Sequence, residues 1–277
     1  MTPAKRSPAA RRSGHFVAPT PSKSSVGQAR SDAVARNPIS GSQWLVPLGV
    51  ALITLIVFLP ALTNGFVNWD DDQILVENNE YRSLGWTALR WMFTTFHMGH
   101  YEPFTWLSFA LDYKIWGMDA FGYHLTNVIL HAANAALFYL IAARLLRRAD
   151  PGIPESAMDS RIIAAAIAAL LFSVHPLRVE SVAWATERRD VLSALFILAT
   201  VWCYLEAARL PSREFRDGGW RAAALLFYVC SLLAKASGIT LPLVLLVLDV
   251  YPLRRFGWPP QDWFVLKRRA IWLEKIP

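Results

Sequence analysis

The sequence predicts an all-α fold: a polytopic transmembrane helical bundle of about six spans, with a long first exterior loop that contains interfacial helices. Three observations predict it. Residues 44–62 form an apolar run of nineteen whose only polar member is Thr54, which meets the about 20 residues a helix needs to cross a bilayer. Apolar blocks then recur along the chain, so the 54% hydrophobic content and 12 Trp are gathered into segments with polar residues between them. Finally, Arg-rich connections occur at every second break between blocks, the pattern that the positive-inside rule requires of an even span count.

Residues 1–43 hold seven Lys/Arg against the single acid Asp32, and so account for +6 of the net charge of +7. The charge is a property of the tail. Rich in Ser, Ala, Pro and Arg, this segment has too few large apolar residues to repay its ordering entropy, and is expected to be a disordered, basic cytoplasmic tail against anionic lipid. No aromatic or basic groove supports a nucleic-acid role. The first apolar run starts too late and is too long for a signal peptide, and it lacks a small-x-small cleavage site, so it is expected to remain as a signal anchor.

Five further blocks follow, at 121–146, 162–174, 191–208, 222–233 and 239–250. The last two are short, and are expected to be tilted, extended by Trp220 and Tyr251, or paired as a hairpin around residues 235–238. With six spans, Arg147, Arg148 and Arg161, then Arg209, Arg213, Arg216 and Arg221, then Arg254, Arg255, Lys267, Arg268 and Arg269 all share the side of the basic tail. An odd count would break this. Residues 44–255 are thus read as one transmembrane module of the cytoplasmic (inner) membrane, with exterior loops at about 63–120 and 175–190. Residues 256–277 are read as a cytoplasmic segment of a chain expected to be a fragment. Cys203 and Cys230 both fall in apolar runs, so no disulfide framework is implied.

The first exterior loop carries eight acids against three Lys/Arg. Its aromatic stretches 86–96 and 104–116 are expected to lie along the interface, apolar side in lipid. Asp70, Asp71 and Asp72 open the loop; such a triplet in a soluble protein is ordinarily a solvated turn, but here it stands just past a span. His124, Asn127, His131 and Asn134 are spaced by three, four and three, so they share one helix face that should point inward. Interhelical hydrogen bonding is the ordinary role for His131 and Asn134, while His124 is near enough to the exterior to meet substrate. His97, His100 and Glu102 have a metal-like look without a complete ligand set.

The stretches FVNWDDDQILVENN, FTWLSFALDYKIWG, FGYHLTNVILHAANA, HPLRVESVAWATERRDVLSALF and LLAKASGITLPLVLLVLDVYPLRR, in this order, resemble the membrane portion of the transmembrane and tetratricopeptide-repeat O-mannosyltransferases and their bacterial relatives. The resemblance covers residues 65–255. It implies a GT-C glycosyltransferase, in which the first exterior loop bears the catalytic acid and the sugar donor is a polyprenyl phosphate. Asp70 and Asp71 followed by Asn78 match the family's two acids and Asn, which marks Asp70 and Asp71 as catalytic and Asn78 as substrate-binding. Relatives carry Lys-Gly or Lys-Glu where this chain reads Lys235-Ala-Ser-Gly, so the charge is kept and the flanking residues depart.

Transfer of a sugar to a hydroxyl needs a base within about 2.6–3.2 Å of the acceptor proton, and one Asp suffices. A second acid beside it can raise the first one's pKa, position the acceptor or hold a divalent metal, so a metal cofactor stays open. Lys235 and one of Arg188 and Arg189, with Arg189 preferred, are candidates to grip the donor phosphate, against snorkelling for the lysine and surface ion pairing for the arginines. The expected partners are therefore a polyprenyl-phosphate sugar, a hydroxyl acceptor on protein or envelope glycan, and membrane lipid. A non-catalytic scaffold is the alternative; a transporter is disfavoured because no internal repeat is found.

Overall fold

A computed structural model describes residues 44–150, 152, 158–209, 215–256, 263, 269–273 and 275. The expected basic tail at 1–43 and most of 256–277 lie outside the described residues. Those described are helical, with no strand among them.

Helix α1 (Leu45–Phe58) runs into a 3-10 turn, Leu59–Thr63, where Pro60 withholds a backbone donor and ends the α-helical ladder. Thr54, its one polar side chain, is wholly buried; its hydroxyl donates to Val50 O at 2.8 Å and lies 3.0 Å from Ser173 Oγ. A π-helical turn at Asp72–Val76 leads to α2 (Trp86–Thr94) and α3 (Pro103–Trp116). Gly117, at φ 61°, then turns the chain, and Asp119 caps α4 (Ala120–Ala149) by accepting the Phe121 N–H at 3.0 Å. There follow α5 (Met158–Ser173), α6 (Arg178–Ala183), α7 (Arg188–Ala207), α8 (Phe215–Ala234), a 3-10 turn at Ala236–Thr240, α9 (Leu241–Val250) and α10 (Arg269–Leu273).

Helix α4 is central: it packs against α1, α5 and α7, while α7 packs along α8. Polar contacts give the directions. Asn127 reaches Trp184 O just before α7 and Arg144 pairs with Glu206 near its end, so α4 and α7 are parallel. His131 meets Ser173 O, and Ser193 meets Ser231 O, so α5 and α8 run back the other way. The loop 63–120, the connection 174–187 and the α8–α9 junction consequently gather at one end of the bundle.

The stretch Leu45–Thr63, α4 and α7 are long and apolar enough to cross a membrane; Gly218–Ala234 and Ala236–Val250 are apolar but shorter, and α5 has 16 residues. On α1, Leu45, Leu48, Leu52 and Ile56 are 55–68% exposed, and Ile163, Ile167 and Leu171 form a similar outward stripe on α5. Stripes of this size are hydrocarbon-facing surfaces in a membrane protein. Cys203 and Cys230 are both buried free thiols.

The two loop helices differ from expectation in one respect. Helix α2 does present Trp86 and Phe93 outward. Helix α3 instead buries Trp106, Phe109 and Ala110 against Tyr81, Met92 and Tyr123, leaving Leu111 and Ile115 outside. Its aromatic side faces protein because the loop builds its own core, in which Tyr81, Trp106 and Phe109 lie with ring centroids about 6 Å apart.

Candidate functional site at one end of the bundle

The three aspartates occupy different environments. Asp71 is wholly buried, its Oδ2 accepting the Val67 N–H at 3.0 Å and its Oδ1 the Thr186 N–H at 3.1 Å. It clamps the first loop to the second. Asp70 and Asp72 are half-buried, and neither side chain has a hydrogen-bond or ion-pair partner among the described residues. Both oxygens of Asp71 are thus occupied by backbone donors, whereas those of Asp70 meet no protein partner among the described residues. Asn78 closes a turn, its Oδ1 accepting the Glu80 N–H at 3.0 Å, while its buried Nδ2 has no partner.

The inward stripe of α4 is buried as its spacing predicts: His124, Asn127, His131 and Asn134 are at most 2% exposed. His131 Nε2 donates to Ser173 O at 2.8 Å, and Asn134 donates to Val191 O at 2.8 Å, so these two tie α4 to its neighbours. His124 is different. Neither ring nitrogen makes a well-formed hydrogen bond, the Gly65 backbone is its polar neighbour, and Asp71 and Arg188 are the charges within electrostatic reach.

A chain of five charges adjoins this group. Arg189 places Nη2 2.5 Å and Nε 3.1 Å from Glu187 Oε1, with Nη1 3.9 Å from Glu102 Oε1. Lys235 Nζ lies 3.4 Å from Glu187 Oε2 and pairs with Asp190, whose other oxygen accepts from Ser181 Oγ at 3.0 Å. Thr105 Oγ1 donates to Ala234 O at 2.9 Å and so holds α3 against the residue before Lys235. Burial pushes the Glu102 carboxyl up to about 7, overcoming the opposing pull of Arg189 and Lys235.

Arg188 and Arg189 are adjacent in sequence and separate in role. The guanidinium of Arg188 is wholly buried, donating to Asp112 Oδ2 at 2.5 Å, to Tyr123 O at 2.8 Å and to Asn127 Oδ1. Asp112 also accepts from Thr126 at 2.8 Å. The Asp112–Arg188 pair was not legible as a unit, although a lone acid inside the apolar α3 was its signal. At the other end of the bundle, buried Asp249 accepts from Tyr204 at 2.6 Å, Lys275 at 2.9 Å and Arg255 at 3.1 Å, beside a cavity of about 230 Å³.

Among the described residues, no three His, Cys, Asp or Glu side chains are grouped to hold a metal ion. His97 packs its ring against Trp91 and Trp106, at centroid distances of 6.0 and 5.3 Å, and Glu102 faces Arg189 instead.

Mus musculus protein O-mannosyl-transferase TMTC2 is 31% identical over 209 residues, covering 73% of this chain and 23% of that protein. The Homo sapiens TMTC2 protein matches to the same extent. Drosophila melanogaster Tmtc1 is 31% identical over 212 residues, 73% of this chain and 22% of its own length. The chain is a relative of the TMTC protein O-mannosyl-transferases. It spans about a quarter of the length of these curated relatives. No family model and no solved structure matches it. Asp70, Asp71, Asn78 and Lys235, the residues named by the resemblance, lie in or beside the loops that gather at one end of the bundle.

Proposed function

We propose that this chain is the membrane module of a GT-C-type glycosyltransferase, one that moves mannose from a polyprenyl phosphate to a hydroxyl, protein Ser or Thr, on the extracytoplasmic face of the inner membrane. One observation supports the reading above the rest: unpaired Asp70 stands beside the Asp71–Thr186 clamp, and so on the same end of the bundle as Arg189 and Lys235. The names of the relatives support the reaction class.

In this reading Asp70 takes the acceptor's proton as its oxygen bonds to the sugar C1. The C1–phosphate oxygen bond breaks, and its electron pair leaves on the lipid phosphate. Lys235 and Arg189 stabilise that charge, each cation exchanging part of its contact with Glu187 or Asp190 for the phosphate. Asn78 serves binding through its buried, unpartnered Nδ2, and His124 through its ring nitrogens, which make no well-formed hydrogen bond to the protein. The test is transfer of labelled mannose from a polyprenyl-phosphate donor by membranes containing the protein. Absence of transfer from every lipid donor would favour a scaffold, which the existing pairing of Arg189 and Lys235 with acids also fits.

Two predictions follow from this placement. Lys235→Met should raise the donor's KM or lower turnover by about 10- to 100-fold, the worth of a charge-assisted hydrogen bond, with protein levels in the membrane unchanged. Unaltered donor kinetics would leave Lys235 as a partner of Asp190 alone. With six spans, the end carrying Asp70 is extracytoplasmic, so a Cys at exposed Gln73 should react with an impermeant maleimide in intact cells. Reaction only after permeabilisation would reverse the orientation and remove the exterior chemistry.

A further inference from the structure

The charge cluster contains three carboxylates, Glu102, Glu187 and Asp190, for two cations, Arg189 and Lys235. Fully ionised, it carries one excess negative charge, the wrong sign for receiving a phosphate. One acid must give way for an anion to bind well.

The geometry distinguishes the three. Glu187 is shared by Arg189 and Lys235 at 2.5 and 3.4 Å. Asp190 is held by Lys235 and by Ser181. Glu102 is the loosely held one: its nearest cation contact is 3.9 Å, it makes no side-chain hydrogen bond among the described residues, and its side chain is only 12% exposed. The charges that face it are Arg189, Glu187 and Asp190 from the start of α7 and Lys235 from the end of α8. Two acids and two cations surround it, so its neighbours nearly cancel and burial decides its charge.

We propose that Glu102 couples phosphate binding to proton uptake: when the phosphate of a membrane lipid engages Arg189 and Lys235, Glu102 takes a proton from solvent and the cluster loses its excess negative charge. The proposal rests on the donor-binding reading above, and adds to it a regulatory role for one residue outside the proposed catalytic acids. Its carboxyl, raised to about 7 by burial, makes the exchange occur within the ordinary working pH range. The direction follows from linkage: a bound anion raises the affinity of Glu102 for its proton, so protonation must raise the affinity for the anion by the same factor.

The test uses the full chain in lipid nanodiscs with methyl farnesyl phosphate, a phosphodiester that keeps a single negative charge throughout, so that only the protein titrates. Its affinity should fall about tenfold from pH 6 to pH 8, the decline setting in near 7. Glu102→Gln should hold the pH 6 affinity across the range. Calorimetry of the unmodified protein at pH 7.5, in buffers of different ionisation enthalpy, should report net proton uptake on binding, which keeps the proposal testable if the variant does not fold. A flat wild-type profile, an unchanged slope in Glu102→Gln, or zero proton uptake would each overturn the coupling while leaving donor binding intact. Equal affinity for dimethyl phosphate would overturn the assignment to a lipid phosphate. Binding of neither probe at any pH would remove both the coupling and the donor reading.

Discussion

Asp70→Asn should lower sugar transfer by roughly 10²- to 10⁴-fold, the usual worth of a positioned base, at unchanged protein level and thermal stability. The substitution keeps size and removes basicity, and among the described residues Asp70 has no side-chain partner whose loss would loosen the fold. Asp71→Asn should behave differently. Both oxygens of Asp71 accept backbone N–H groups, from Val67 and Thr186, so an amide nitrogen in either place sets donor against donor. That costs about 1–3 kcal/mol, and appears as a lower melting midpoint together with lost activity. Asp72→Asn should be nearly silent, because Asp72 lies outside the matched pair and contributes only backbone contacts. Assay of the three variants at equal membrane levels decides among them. Near-normal transfer by Asp70→Asn would remove it as the base, whereas a large loss confined to Asp72→Asn would move the motif by a position.

Much of the fold is legible because the membrane simplifies the code: a run with a single polar residue at 44–62 can only be a spanning or deeply buried helix, and Thr54 inside it can only point inward. The three, four, three spacing from His124 to Asn134 likewise reads directly as one buried face. Other features depend on partners far away in sequence. Nothing local separates Asp70 from Asp71, since the difference is made by the backbone N–H of Thr186. Arg188 and Arg189 are equivalent in composition, yet successive helical residues differ by about 100°, which sends one into the core and the other to the charge cluster. The burial of α3 was hidden because it has apolar residues on both sides, with Trp106 and Phe109 facing protein and Leu111 and Ile115 facing outward. Glu102 carried little signal as a single acid beside two His; its importance comes from three charged segments meeting around it.

Arg188→Met should be the most damaging substitution for folding. The wild-type guanidinium, fully enclosed, satisfies Asp112, Tyr123 O and Asn127, and stands 5.2 Å from the Phe109 ring centroid. These contacts join α3, α4 and α7 at the end that carries the candidate site. Removing the cation leaves Asp112 as an uncompensated buried charge, a loss of about 3–5 kcal/mol against a total stability commonly of about 5–15 kcal/mol. The detergent-solubilised variant should melt on the order of 10 °C lower, with reduced yield from membranes. Adding Asp112→Asn to Arg188→Met should recover part of that loss, because the stranded charge is then gone while the packing defect remains. Arg188→Lys should fall short of full rescue, since an ammonium cannot reach three partners in the plane of a guanidinium. This pattern separates a structural arginine from a donor-binding one. A donor contact would show as a raised KM in protein of wild-type stability, and that outcome would place Arg188 alongside Arg189 in the phosphate site instead of in the core.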